Sequence, residues 1–120
     1  MADTRAETPA DEMRWVSSLL LQRVADFRAE EHEPYWSGGF FQGIDNACGG
    51  AGGALAGLFS PEAAEAVAGW LYRTARQWDH EVRVQDDGRY HRECDGVVGE
   101  DCVCFAGALT TVRAFTGGAS

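Results

Sequence analysis

The sequence predicts an all-α protein, an antiparallel four-helix bundle with a short β-hairpin or an irregular loop between helices 3 and 4. Apolar residues recur at helical spacing in four separate stretches, and the links between these stretches are short. The chain has 120 residues, of which 45% are hydrophobic, which is enough for one core but not for two. We therefore expect a flexible tail at residues 1–7 and a single helical domain at residues 8–117.

Helix 1 is predicted to begin at Thr8-Pro9, because threonine is a good N-cap residue and proline suits the first helical position. The helix is expected to end near Glu33, since Pro34 disfavours helical geometry in the residue before it. Its apolar face consists of Met13, Val16, Leu20, Val24 and Phe27.

Helix 2 is predicted over residues 40–59, although this stretch is rich in glycine. A stripe of apolar residues and a stripe of small residues both repeat at alternating steps of three and four positions, which is typical of a helix. A structureless glycine loop is the alternative interpretation. The apolar stripe is Phe41, Ile44, Cys48, Ala51, Leu55 and Leu58, and the small stripe is Gly43, Ala47, Gly50, Ala54 and Gly57.

Helix 3 has the clearest start signal in the chain, the N-cap residue and first-turn proline of Ser60-Pro61. We expect it to fray near Asp79 to Glu81. Beyond it, Val82 and Val84 alternate with polar residues, which is compatible with a short hairpin about Asp87-Gly88 and equally with an irregular loop.

Helix 4 is predicted to begin near Glu100 or Asp101 and to stop at Gly117, since glycine commonly follows a helix C-terminus. In an antiparallel bundle, the ends of helices 1 and 3 and the starts of helices 2 and 4 share one end. All three histidines and three of the four cysteines are expected at that end. The apolar face of helix 4 is Phe105, Leu109, Val112 and Phe115.

One histidine and three cysteines between helices 3 and 4 form the main candidate site, because three thiolates and an imidazole are a familiar tetrahedral set for structural zinc. His91 and Cys94 are separated by two residues, but Cys102 and Cys104 by only one, a less diagnostic spacing. On a helix these two cysteines would point apart, so a shared ion requires helix 4 to start later. The alternatives are reduced and packed cysteines, a disulfide such as Cys94–Cys102, or a redox role.

Further candidate residues lie at the predicted helix ends and in the turn after helix 1. A carboxylate-bridged di-metal site needs Glu-x-x-His pairs, which these segments lack. We therefore interpret them as solvent-exposed groups that face a binding partner. The predicted interaction residues are Glu30, Glu31, His32, Tyr35, Trp36, Asp79 and His80.

The net charge of −9 argues against direct binding to nucleic acid or to anionic membranes, both of which require a basic face. All ten basic residues are arginine, so lysine chemistry is excluded.

The first residues lack the features of a signal peptide, and no apolar run is long enough to span a membrane. These observations predict a cytoplasmic protein with mostly reduced cysteines. The acidic residues concentrate in residues 26–33 and 79–101, which predicts one acidic face.

Three functions are compatible with this sequence. The first is a small binding or regulatory protein without a catalytic set, which presents its acidic end with the cysteines and histidines to a basic protein partner and is stabilised by zinc. The second is a small enzyme or ligand-binding protein that uses His80, His91 or a cysteine at the same end, with a ligand pocket beneath the small stripe. The third is a structural homo-oligomer that packs through the glycine and alanine stripe of helix 2.

The C-terminal half carries several short runs that occur together in one group of proteins. They are Ser60-Pro61-Glu62-Ala63-Ala64-Glu65-Ala66-Val67-Ala68-Gly69-Trp70-Leu71, Cys102-Val103-Cys104, Ala108-Leu109 and Arg113-Ala114-Phe115-Thr116-Gly117. Through these runs, residues 54–118 resemble small proteins of actinobacteria and their phages. The resemblance implies a high-GC genome, which suits arginine in place of lysine, and it implies no established activity.

Overall fold

In the computed structural model, which describes residues 8–30, 39–85 and 88–117, helices are combined with a three-stranded antiparallel sheet. The prediction of an all-α four-helix bundle is therefore wrong. Two features of the structure explain the difference. The predicted helix 2 is broken into two helices, and a sheet lies between the predicted helices 3 and 4. The elements in chain order are α1 (Pro9–Ala29), α2 (Phe40–Cys48), α3 (Gly50–Gly57), α4 (Pro61–Glu81), β1 (Val82–Gln85), β2 (Gly88–His91), β3 (Gly96–Val97) and α5 (Ala106–Phe115).

The contacts divide the chain into two compact units. One unit contains Leu19–Ala68, and the other contains the chain up to Ser18 together with the chain from Gly69 onward. The division falls within α1 and α4, so each of these helices contributes to both units. Among the helices of the described residues, none is long and apolar enough to cross a membrane.

Side-chain caps fix the starts of the two longest helices. The backbone N–H of Asp11 donates to Thr8 Oγ1 at 3.1 Å, and the backbone N–H of Ala63 donates to Ser60 Oγ at 3.1 Å. Each cap satisfies a helical N–H group that has no partner within the helix. The predicted starts of α1 and α4 are confirmed. Helix α1 ends at Ala29 and Glu30 is no longer helical, so the helix stops before the predicted end near Glu33, which itself lies outside the described residues.

The predicted helix 2 is two helices rather than one. Gly49 and Gly50 have φ angles of 71° and 65°, in the left-handed region that glycine enters without a steric penalty. The chain therefore stops being helical between α2 and α3. The predicted apolar stripe is not buried as a unit, because Leu55 and Leu58 are 72% and 69% exposed and Cys48 is also exposed.

Small residues in α3 allow it to pack closely against α2. A Cβ atom at Gly53 would lie 3.2 Å from Cβ of Cys48, and a Cβ atom at Gly57 would lie 3.0 Å from Cδ2 of Phe41. Both distances are tighter than ordinary side-chain contacts. These two glycines thus serve the contact between α2 and α3, and the homo-oligomer through the small stripe stays a prediction.

Of the two alternatives that the sequence leaves open after α4, the structure contains the hairpin. Strands β1 and β2 pair antiparallel, with Val82 opposite His91 and Gln85 opposite Gly88. Gly88 of the predicted Asp87-Gly88 turn is thus the first residue of β2, and Asp87 lies outside the described residues. The two-residue strand β3 was not expected, and it pairs with the end of β2 so that Gly96 lies opposite His91. The sheet therefore places a histidine between two neighbouring strands.

Among the described residues, Phe105 has the largest fully buried side chain, and it belongs to the same unit as the sheet. Its ring makes edge-to-face contacts with the rings of Trp78 and His91, with centroids 5.0 Å away in each case. Helix α5 begins one residue later, so the predicted start near Glu100 or Asp101 is wrong. Other buried residues in this unit are Met13, Val16, Leu71, Ala75, Ala108 and Val112.

Candidate metal centre

The four predicted metal ligands come together between the sheet and α5. His91 ends β2, Cys94 lies in the turn between β2 and β3, and Cys102 and Cys104 lie in the segment before α5. One ligand atom from each of these side chains lies within 4.8 Å of all the others. The cluster can therefore hold a metal ion. The late start of α5 keeps the two cysteines off a helix, which is the condition for them to share one ion.

Backbone hydrogen bonds fold the segment after β3 back on itself. The carbonyl of Val97 accepts hydrogen bonds from the N–H groups of Glu100, Asp101 and Cys102, each at 3.0 Å. The N–H of Gly99 donates to the carbonyl of Cys102 at 2.9 Å. This compact loop brings Cys102 beside the end of β2.

The turn that carries Cys94 is equally constrained. The N–H of Asp95 donates to the carbonyl of His91 at 2.9 Å, and Asp95 has a φ of 56°, which aspartate tolerates better than most residues. The next residue, Gly96, is buried, and a Cβ atom there would lie only 2.7 Å from Cβ of Asp101. Glycine at this position therefore permits the two ligand-bearing segments to approach.

The ligands form a buried pair and an exposed pair. His91 and Cys102 are both 1% exposed, with Nδ1 of the histidine 3.2 Å from Sγ of the cysteine. Cys94 and Cys104 are exposed, and their sulfur atoms lie 3.0 Å apart. Two thiolates on one tetrahedral zinc ion would be about 3.8 Å apart, given Zn–S bonds of about 2.3 Å. The observed spacing is within an ångström of that geometry.

A carboxylate orients the histidine from the opposite side. Oε1 of Glu81 lies 2.7 Å from Nε2 of His91 and also accepts a hydrogen bond from Gln77 at 3.2 Å. With Nε2–H donating to the carboxylate, Nδ1 keeps its lone pair directed toward Cys102. A carboxylate in this role fixes the tautomer of a metal-bound histidine and increases its basicity.

The hydrogen bond between Glu81 and His91 shifts the pKa of both groups. It lowers the pKa of the Glu81 carboxyl and raises the pKa of the His91 imidazole, because each charged form stabilises the other. Sequence reasoning assigned Glu81 only to a fraying helix end. The available signal was its position directly before Val82, which the hairpin register places opposite His91.

Protons compete with a cation for the exposed cysteines. The hydrogen bond with Cys104, followed by desolvation, raises the pKa of the Cys94 thiol to about 12. This thiol is therefore neutral at pH 7 in the absence of a cation. Because only the thiolate is a good metal ligand, metal binding has to displace its proton.

The structure places only some of the predicted interaction residues. Glu30 and His80 are exposed, and the carbonyl of His80 accepts a hydrogen bond from Arg92 at 2.7 Å. Asp79 pairs with Arg14 at 2.7 Å. The shared end expected to unite these residues depends on the four-helix bundle, which the chain does not form. Glu31, His32, Tyr35 and Trp36 lie outside the described residues.

The sequence also allows, as an alternative, a ligand pocket beneath the small stripe. The unit of residues 19–68 contains an open cavity of about 240 Å³ with a mostly apolar lining. It carries no cluster of titratable side chains, so no chemistry can be assigned to it. Its apolar lining includes Leu20, Val24, Phe27, Phe40, Ile44 and Phe59.

No protein-family model, curated protein or solved structure matches this chain. The resemblance to small actinobacterial and phage proteins therefore stays a prediction.

Proposed function

We propose that this chain is a zinc-binding protein in which one ion, held by His91, Cys94, Cys102 and Cys104, has a structural role. The supporting observation is the convergence of four ligand atoms within 4.8 Å. Zinc is the metal that fits best, because soft thiolates combined with imidazole in tetrahedral geometry favour it over calcium, magnesium or manganese. The ion would join the end of β2 to the segment that leads into α5.

The closed ligand set favours a structural ion over a catalytic one. Catalytic zinc sites keep one position for water or substrate, whereas four protein ligands occupy all positions of a tetrahedral ion. His91 is also unsuited to act as a free acid or base. It is buried, and its two ring nitrogens face Glu81 and Cys102.

The zinc-ordered segment is proposed to bind a basic protein partner. Four exposed acidic residues surround the ligands in the sequence, namely Glu93, Asp95, Glu100 and Asp101. Such a surface steers and selects a positively charged partner more than it adds raw affinity. Equal binding of an arginine-rich probe peptide to the native protein and to a Glu93→Gln/Glu100→Gln variant would contradict this part.

Metal analysis of the purified protein tests the zinc site directly. We expect one zinc ion per chain in the native protein, and a clear loss of zinc in Cys104→Ser. The matched control is Cys48→Ser, which removes an exposed cysteine outside the cluster and is expected to keep its zinc. A native protein that takes up no zinc when refolded with it would refute the proposal.

Replacement of zinc by cobalt(II) tests whether the site is closed. A tetrahedral cobalt site with thiolate ligands has intense visible absorption bands that respond to any change of ligand. We expect these bands to be unchanged when cyanide or imidazole is added. A spectrum that shifts on addition of either ligand would instead indicate an open, catalytic-type site.

Glu81→Gln is expected to weaken zinc binding by about 10- to 100-fold, as is common when the partner of a metal-bound histidine is changed. The neutral amide accepts a weaker hydrogen bond from Nε2–H and no longer increases the basicity of His91. Competition with a chromophoric chelator measures the affinity. Glu93→Gln removes a carboxylate charge beside Cys94 that makes no hydrogen bond or ion pair with His91, so zinc affinity should stay near the native value.

Gly96→Ala is expected to destabilise the fold by about 1–3 kcal/mol, the usual cost of overpacking a tight site. The new methyl group would overlap with Cβ of Asp101, which directly precedes Cys102. Zinc affinity should therefore fall together with stability in urea. Gly107→Ala is the matched control, because its Cβ would meet Trp70 at an ordinary distance of 3.8 Å. Equal behaviour of the two variants would contradict the close approach at Gly96.

A further inference from the structure

The two exposed ligands of the cluster are more accessible to small molecules from solvent than the two buried ligands. Cys94 and Cys104 are open to solvent, whereas His91 and Cys102 are each 1% exposed. A small oxidant from solution therefore reaches Cys94 and Cys104 more readily than Cys102. The cluster thus has an accessible half and a protected half.

The exposed sulfurs are also close enough to bond with each other. They are 3.0 Å apart, and a disulfide requires about 2.05 Å, so closure takes a movement of about 1 Å. Both cysteines lie outside regular elements, Cys94 in the turn after β2 and Cys104 directly before Phe105. A movement of this size is within the range of turn segments.

We propose that Cys94 and Cys104 form an oxidative modification site, where hydrogen peroxide produces a disulfide between them and so releases the metal. The release step rests on the proposed zinc function, while the formation of the disulfide does not. The bond removes two of four ligands, because a disulfide sulfur has lost the thiolate charge that binds zinc. His91 and Cys102 alone cannot complete a tetrahedral site.

The chemistry balances with peroxide as the only oxidant. One thiolate attacks a peroxide oxygen, the O–O bond breaks, and the sulfur becomes a sulfenic acid while hydroxide takes a proton and leaves as water. The second thiolate then attacks that sulfur, the S–O bond breaks, and the leaving hydroxide also becomes water. The two sulfurs together lose two electrons, the peroxide gains them, and two protons are consumed. The zinc ion, which has lost two thiolate ligands, departs into solution.

The surrounding charge favours a neutral oxidant over an anionic one. Glu93 and Asp95 flank Cys94 in the sequence, both are exposed, and the whole chain carries a net charge of −9. Oxidised glutathione is an anion and is repelled by such a surface at low salt. Hydrogen peroxide is small and uncharged, so this surface does not hinder it.

The experiment uses the full chain with Cys48→Ser, which removes the exposed cysteine that could link two molecules. The zinc-loaded protein is titrated with hydrogen peroxide while a zinc-sensitive dye reports the released metal. We expect one equivalent of zinc to be released for each disulfide formed, and full recovery after a thiol reductant and fresh zinc. Oxidised glutathione at the same concentration and low salt should release zinc more slowly.

Mass spectrometry identifies the bond that forms. Cleavage after Glu100 separates Cys94 from the other two cysteines of the cluster, and fragmentation then distinguishes Cys102 from Cys104. A peptide pair linked through Cys94 and Cys104 supports the proposal. Linkage through Cys102 would overturn it, and so would overoxidation without any linkage.

The same measurements distinguish failure of this inference from failure of the zinc function. Protein that keeps its zinc under peroxide, with both exposed cysteines reduced, overturns the modification site and leaves the zinc site intact. Protein that never binds zinc overturns the zinc function and with it the release step. In that case the peptide map alone decides whether Cys94 and Cys104 form a modification site.

Discussion

Removal of the metal is expected to lower the thermal stability of the unit that contains the sheet by about 10–20 °C. Free zinc at one hundred times its dissociation constant stabilises the folded state by about 2.7 kcal/mol. For a unit of this size, each kcal/mol corresponds to about 4–8 °C in Tm. A strong chelator that removes the zinc also removes this stabilisation of the folded state. Thermal unfolding followed by circular dichroism, with and without the chelator, measures the shift.

The size of this effect follows from what the ion would connect. β3 has only two residues, and the chain between Gly96 and α5 contains no other regular element. The zinc ion would tie this segment to the end of β2. When it is removed, the segment can unfold at a smaller cost in free energy. The free energy of metal binding to such a small region is therefore spent largely on folding that region.

Two controls make the chelator result specific. Cys48→Ser should show the same shift as the native protein, since Cys48 lies outside the cluster. Cys102→Ala should begin at the low Tm and respond little to the chelator, because a buried ligand has already been lost. Identical melting of the native protein before and after chelation would contradict a structural role for the ion.

The starts of α1 and α4 could be predicted from the sequence, and a hairpin after α4 could be foreseen as one of two alternatives, because their signals are local. The caps at Thr8 and Ser60 each depend on one side chain and a backbone N–H three residues later. The hairpin depends on the alternation around Val82 and Val84. Such signals do not require knowledge of what the element packs against.

The break between α2 and α3 could not be read from periodicity. Both stripes keep helical spacing through Gly49 and Gly50, so the pattern is the same for one helix or for two. What decides the outcome is packing, because Gly53 and Gly57 let α3 lie against α2. A single long helix would leave that contact unmade, and glycine has a high cost within a helix.

The side chains of the candidate metal centre were predictable from the sequence, but their surroundings were not. His91, Cys94, Cys102 and Cys104 follow from residue type and spacing, whereas the role of Glu81 depends on the register of the hairpin. β3 is too short to show any alternation of polar and apolar residues. The approach of Gly96 to Asp101 is likewise a tertiary feature without a local signal.

Phe105→Ala is expected to destabilise the fold by about 3–5 kcal/mol, the range for truncation of a buried aromatic side chain. The ring is 1% exposed and contacts both Trp78 and His91, so the variant leaves a cavity between the core and the metal centre. Urea unfolding measures the loss. Phe115→Ala, at the other end of α5 and 38% exposed, is the matched control and should lose much less.

The same variant tests whether the core positions the metal ligand. The ring of Phe105 makes an edge-to-face contact with the ring of His91, and the carboxylate of Glu81 accepts a hydrogen bond from Nε2 of His91. If the phenyl ring helps to fix the imidazole, zinc affinity falls in Phe105→Ala under conditions in which the protein is still folded. If affinity stays native while stability falls, Glu81 and the backbone of β2 are sufficient to orient His91. An unchanged stability would contradict the burial of Phe105 itself, because a cavity of this kind cannot form without a loss of packing.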